Sequence, residues 1–161
     1  YTIHANTKTV GDYAFAFARL DSIDLTDVVS IGNSAFISST LEALVIPDSV
    51  VSLGEYAFAS NIELSSVFIG NGLIEIPSYA FTECVLLTEI EIPSGIVSIG
   101  YSAFLRSGLT KVTFAENSNL VSISEFAFSI CKIAEIAFPD SLVEIGGYAF
   151  SCNPLANIKR S

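Results

Sequence analysis

Basic side chains are scarce in this chain of 161 residues: seven Lys and Arg stand against seventeen Asp and Glu, a formal net charge of −10. Such a balance repels phosphate backbones and anionic lipid surfaces, so nucleic acid is not expected as a partner. Long apolar runs are missing too. The uncharged stretch 28–41 is broken by Ser30, Asn33, Ser34, Ser38, Ser39 and Thr40, well short of the about 18 apolar residues of a spanning helix, and no membrane insertion of this segment is expected. The opening residues, 1–9, lack the basic, apolar and cleavage regions of a signal peptide. No N-x-[ST] sequon occurs among eight asparagines, which argues against a glycosylated eukaryotic ectodomain.

Reactive chemistry is equally thin. The only histidine is His4. There is no G-x-S-x-G, no P-loop, no G-x-G-x-x-G after a strand, no H-E-x-x-H and no EF-hand loop. Catalysis requires convergent groups with tuned pKa values; none is present, so the chain is not expected to be an enzyme, and no catalytic residue, metal ligand or cofactor site is assigned. Asp21, Asp24 and Asp27 lack the glycine turn and distal Glu of a calcium loop.

What the chain has is an apolar, repetitive core pattern. It is 51% hydrophobic and 15% charged, a composition that folds rather than staying disordered, and its length suits one domain. One block recurs: VGDYAF at 10–15, IGNSAF at 31–36, LGEYAF at 53–58, IPSYAF at 76–81, IGYSAF at 99–104, ISEFAF at 123–128 and IGGYAF at 145–150. Its final rings, Phe15, Phe36, Phe58, Phe81, Phe104, Phe128 and Phe150, are separated by 21, 22, 23, 23, 24 and 22 residues. After most of them comes L-x-x-V-x-I, as in Leu41, Leu44, Ile46 and in Leu87, Ile90, Ile92. The closing alternation is the period-2 signature of a strand with one buried face. Pro47, Pro93 and Pro139 follow directly and end it.

One repeat cannot fold alone. About six buried side chains at roughly 1.5–3 kcal/mol each do not offset about 1–2 kcal/mol of backbone entropy for every residue ordered. Stacked repeats share their faces, and a single strand per winding makes neighbouring strands parallel. The Phe column is predicted to stack as a spine, with the Ala before it small for a tight turn. Gly11, Gly32, Gly54, Gly100 and Gly146 are read as relieving backbone restriction at the entry to that turn. Tyr56, Tyr79 and Tyr148, with Tyr13 and Phe126 in the same column, are expected to form a partly exposed packing ladder rather than a sugar-stacking platform. Cys84, Cys131 and Cys152 fall on three different windings and are expected to be free and buried.

These blocks resemble the BspA-like leucine-rich repeat, L-x-x-I-x-I-P-x-x-V-x-x-I-G-x-x-A-F-x-x-C, over essentially the whole chain. The closing Cys is in register only at Cys84 and Cys131; Ala18, Ser39, Asn61, Ser107 and Asn153 replace it elsewhere. The resemblance implies a right-handed leucine-rich-repeat solenoid over residues 1–161, of about seven repeats. It implies one parallel β-sheet of about eight short strands, with short turns and 3-10 or helical pieces on the opposite face. It also implies an exported or cell-surface protein linked to adhesion. Aligning Tyr1 with Leu44 starts the chain partway along a strand, and Leu155 and Ile158 begin an eighth. The chain therefore reads as a fragment of a longer array, with coil ends open to end-to-end self-association.

The variable strand positions should face outward. One column reads Asp24, Val45, Phe68, Glu91, Thr113, Ala137, Lys159 and the column before it Ser22, Ala43, Ser66, Glu89, Lys111, Glu135, Asn157. Val45 and Phe68 put apolar groups on adjacent strands, and Lys111 is expected to lie between Glu89 and Glu135. The candidate ligand-binding residues are Val45, Ser66, Phe68, Glu89, Glu91, Lys111 and Thr113. The expected function is a non-catalytic module that binds another protein through this face, the alternative being a structural spacer with no ligand of its own.

Overall fold

The computed structural model describes residues 3, 4 and 6–160, so the alignment of Tyr1 lies outside the described residues. Most windings contribute a long and a short strand. The long strands are β3 (Ala43–Ile46), β5 (Ser66–Ile69), β7 (Glu89–Ile92), β9 (Lys111–Phe114), β11 (Glu135–Phe138) and β13 (Asn157–Arg160). The short ones are β1 (Thr9–Val10), β2 (Ser30–Ile31), β4 (Ser52–Leu53), β6 (Glu75–Ile76), β8 (Ser98–Ile99), β10 (Ser122–Ile123) and β12 (Glu144–Ile145). All pairings are parallel, and the long-strand register matches the sequence columns, with Val45 opposite Phe68 and Glu89 opposite Lys111.

The fold is thus a parallel solenoid, but its sheet is neither single nor continuous. The short strands form a second stack, and the strand expected at Asp24 is reduced to an isolated bridge. Long strands join only as β3 with β5, β7 with β9 and β11 with β13; short ones join as β1, β2, β4 and as β6, β8, β10, β12. Proline accounts for the breaks. Where a ladder is intact, the residue after the second strand donates its N–H back to the first: Gly70 to the Ile46 carbonyl at 2.8 Å and Ala115 to Ile92 at 3.0 Å. The residues in that place after β7 and β11 are Pro93 and Pro139, which have no N–H to give. In the short stack Gly54, Gly100 and Gly146 make the equivalent bond at 2.7 to 2.8 Å, and Pro77 stands at the one junction without a ladder, between β4 and β6.

No helix occurs among the described residues, contrary to the expected helical pieces; the third side of each winding is a run of turns. Each run holds two left-handed residues four apart, such as Tyr13 and Phe17 (φ 57° and 58°) or Ser102 and Arg106 (φ 52° and 56°), which interrupts any helical path. Hydrogen bonding compensates. Ala14, Ala16 and Ala18 donate locally to Gly11, Tyr13 and Phe15, while the alternate Tyr13, Phe15 and Phe17 donate to Asn33, Ala35 and Ile37 of the next winding. The runs that follow, up to Phe126, Phe128 and Ile130, do the same, with Ser102, Phe104 and Arg106 reaching Glu125, Ala127 and Ser129.

Inside, Phe36, Phe58, Phe81, Phe104 and Phe128 are fully buried, stacked at centroid separations of 5.1 to 5.7 Å. The glycines act differently from the sequence reading: none of them has a positive φ. A Cβ on Gly54 would stand 2.4 Å from the Asn33 nitrogen of the preceding winding, so it is close approach of two backbones that requires glycine there. The position that closes the family pattern also gains a physical meaning. Asn61 Nδ2 donates to the Phe36 and Phe58 carbonyls at 2.8 Å, the Cys84 thiol to Phe58 and the Cys131 thiol to Phe104, both at 3.3 Å. Asn and Cys in this buried column satisfy the inward carbonyl of the spine residue one winding back, while Ser39 donates to the Asn61 Oδ1 and Ser107 bonds to the Cys131 sulfur within the same column.

Candidate functional site

The outward face of the long strands carries all seven candidate residues. Burial alternates along β3 and β7, exposed then buried, because Leu44, Ile46, Ile90 and Ile92 enter the core and their neighbours point away. Val45 on β3 is 57% exposed and Phe68 on β5 is 60% exposed, directly opposite each other in the ladder. Ser66 shares β5 with Phe68. Glu89 and Glu91 on β7 face Lys111 and Thr113 on β9. The structure therefore brings these side chains onto one surface in two groups, one on each side of the β5/β7 break.

Charges on this face are partly self-compensated. Lys111 Nζ lies 3.7 Å from Glu89 Oε2, but it does not bridge to Glu135 as expected. Glu135 instead pairs with Lys159 at 3.5 Å, one residue column over on β13, because Lys159 is hydrogen-bonded into the adjoining ladder whereas no ladder joins β9 to β11. Both pairs are largely exposed and each contributes a few tenths of a kcal/mol, about 0.5 at most.

The break between β5 and β7 opens two adjoining clefts that sequence reading missed. One, of about 290 Å³, is lined by Phe68, Asn71, Glu91, Pro93 and Ser94 among others. The other, of about 460 Å³, is lined by Ser65, Ser66, Thr88, Glu89, Lys111 and Thr113 and shares Val67 and Glu91 with the first. Val67 is only partly buried in its inward column, whereas Leu44, Ile90, Val112 and Ile136 are buried. Pro93, in the place of a ladder donor, was the signal in the sequence.

A further cleft, of about 470 Å³, lies at the β9/β11 break and is lined by Lys111, Thr113, Glu135, Ala137 and Lys159 among others. Thr26 donates its hydroxyl and N–H to Asp24, and these bonds hold the Asp24 carboxyl below its ordinary value; Asp27 pairs with Lys8 at 3.3 Å. Among the described residues no three His, Cys, Asp or Glu side chains could hold a metal ion, and no helix is long and apolar enough to cross a membrane. The rings beside the spine do stack, Tyr56 on Tyr79 at 4.3 Å and Phe126 on Tyr148 at 5.2 Å. Ser102 interrupts that column, and Tyr101 from the next position fills the gap edge-on to Tyr79 and Phe126. All three cysteines are free; Cys84 and Cys131 are buried but Cys152 is exposed, because it occupies the left-handed turn position (φ 58°) rather than the inward one. Burial pushes the Cys84 thiol up to about 12 and raises Cys131 as well.

The sequence profile of the BspA type leucine-rich repeat region, in six copies, matches residues 1–94 and 74–161. The chain belongs to that family. This BspA-type chain is similar to a leucine-rich repeat protein from Bacteroides ovatus, with 28% identity and a TM-score of 0.87 over 98% of this chain and 42% of that one. A leucine-rich repeat protein from Eubacterium ventriosum gives 26% and 0.87 over 96% and 43%, and the pneumococcal vaccine antigen PcpA 26% and 0.66 over 94% and 34%. The BspA-type chain thus spans less than half the length of each. No curated protein matches it.

Proposed function

We propose that this BspA-type chain is a non-catalytic recognition module of a secreted or cell-surface protein, binding a protein partner through the long-strand face. The observation that carries this reading is the pairing of Val45 and Phe68, each more than half exposed and side by side on a flat ladder. Bare apolar neighbours beside charged residues are what interface centres present to a partner. Membership of the BspA-type family and the likeness to PcpA, a vaccine antigen, support the surface location.

The spacer reading draws support from a different observation: the pairs Glu89–Lys111 and Glu135–Lys159 neutralise part of the face without any partner. One experiment separates the two. The variant Phe68→Ala, Glu89→Lys, Glu91→Lys is compared with the parent chain for binding to purified host-matrix proteins by surface plasmon resonance. A partner whose affinity drops at least about tenfold, at unchanged melting temperature, supports recognition. Equal binding by both chains rejects this face, and no binding by either leaves the spacer.

A further inference from the structure

Phe68 and Glu91 stand apart from the other rings and carboxylates of the long strands. Among the described residues no other ring stacks on Phe68, although the remaining Phe rings of the windings, apart from Phe17, do make ring contacts. Among the described residues Glu91 makes no ion pair or side-chain hydrogen bond, whereas Glu89 and Glu135 on the same face are each held by a lysine. Both residues line the same cleft of about 290 Å³, with the polar side chains Asn71 and Ser94 on its rim. The cleft exists because Pro93 leaves β5 and β7 without a ladder.

We infer that this cleft accepts a cationic side chain, arginine ahead of lysine, carried by the partner protein; the inference rests on the long-strand face being the binding surface. An aromatic ring attracts a cation over its face, and a neighbouring carboxylate supplies the counter-charge. Arginine fits best because its planar guanidinium can lie on the Phe68 ring while its N–H groups reach Glu91 in a fork, and it gives up its hydration more readily than an ammonium. An anionic occupant would meet the unpaired Glu91. A purely apolar one would bury that carboxylate without a partner, which is costly. The net charge of −10 favours the approach of a basic partner at long range. The adjoining cleft, with Lys111 engaged by Glu89, continues the groove alongside β7 and leaves room for neighbouring residues of an extended segment.

The test is a titration of the isotope-labelled chain, followed by amide NMR, with Nα-acetyl-argininamide and, as a control of similar size, Nα-acetyl-norleucinamide. Saturable shifts centred on Phe68, Asn71, Glu91 and Ser94 with the arginine probe alone are expected. Glu91→Gln and Phe68→Leu should each weaken that binding about threefold to tenfold without moving the melting temperature. Shifts scattered over the acidic surface, equal response to both probes, or an unchanged titration in Glu91→Gln would each overturn the inference. A partner that loses affinity for the triple variant while the arginine probe leaves these amides unmoved removes the cationic cleft and keeps the long-strand face as the binding surface. A saturable arginine response at these amides, with a bound partner indifferent to the triple variant, removes that face as the partner's surface and keeps the cleft's cation chemistry.

Discussion

The two strand stacks share one core yet differ on their outer surfaces. Along the long strands the outward column changes at each step, Val45, Phe68, Glu91, Thr113, Ala137, Lys159, and ladders fail at two junctions. Beside the short strands the outward column is Val29, Val51, Ile74, Val97, Val121 and Val143, every one β-branched and 37% to 82% exposed, and the ladder fails once. Inward, the two are alike: Leu44, Ile90 and Ile136 on one side and Ile31, Ile76 and Ile123 on the other are all buried. The core therefore sets the same demand everywhere, and the freedom left over is used differently. Uniform branched residues suit an extended backbone regardless of ligand, while a column of mixed charge and size suits discrimination.

The sharpest way to break this comparison is to remove the wall both stacks lean on. Phe81→Ala should lower stability by about 3–5 kcal/mol, and hydrogen exchange should show β6 and β7 amides opening together. Opening of one stack alone would mean the two are not one cooperative unit. Phe68→Ala, on the exposed side, should move stability by less than about 0.5 kcal/mol.

An intermediate effect comes from pH on the turn side between the stacks. The Cys84 thiol is pushed up to about 12 from an ordinary 9.0, so the folded state keeps its proton where the unfolded chain loses it. Its folded pKa being the higher one, the associated stability is complete below about pH 9 and declines as pH rises from there toward 12, by about 1 kcal/mol at pH 10. Urea unfolding of Cys84→Ala should lack that alkaline decline. In the native chain at neutral pH a thiol reagent should label Cys152 alone.

The smallest effect sharpens the comparison most. Pro93→Ala restores a backbone donor in front of the Ile69 carbonyl; a net gain of no more than about 1 kcal/mol is expected, with a newly protected amide at position 93. No protection there would show that proline is not what parts β5 from β7.

Much of this was legible beforehand. The Phe spacing and the alternation after it placed the spine and the long-strand register correctly, because both answer to burial in the shared core. The short strands were not legible, since two residues such as Ser52 and Leu53 are too few to show a period. The glycines were assigned to backbone freedom when Gly54 answers to a neighbour one winding away, a contact no local window contains. Lys111 was placed between two carboxylates because its column was counted as evenly hydrogen-bonded; Pro139 had already parted β9 from β11. For the candidate face, exposure and the cross-strand neighbours other than that of Lys111 agree with the sequence columns, and its cleft was hidden in a residue read only as a strand terminator.

The alternating turn bonds have one further consequence. From the first turn run to that of Phe126, three N–H groups point toward the following winding and meet its carbonyls, so the turn side is polar along its length, like beads threaded with every arrow the same way. A winding inserted backwards would set donor against donor. A further copy of the unit could therefore lengthen such a stack at either end, with its donors meeting carbonyls in the same sense.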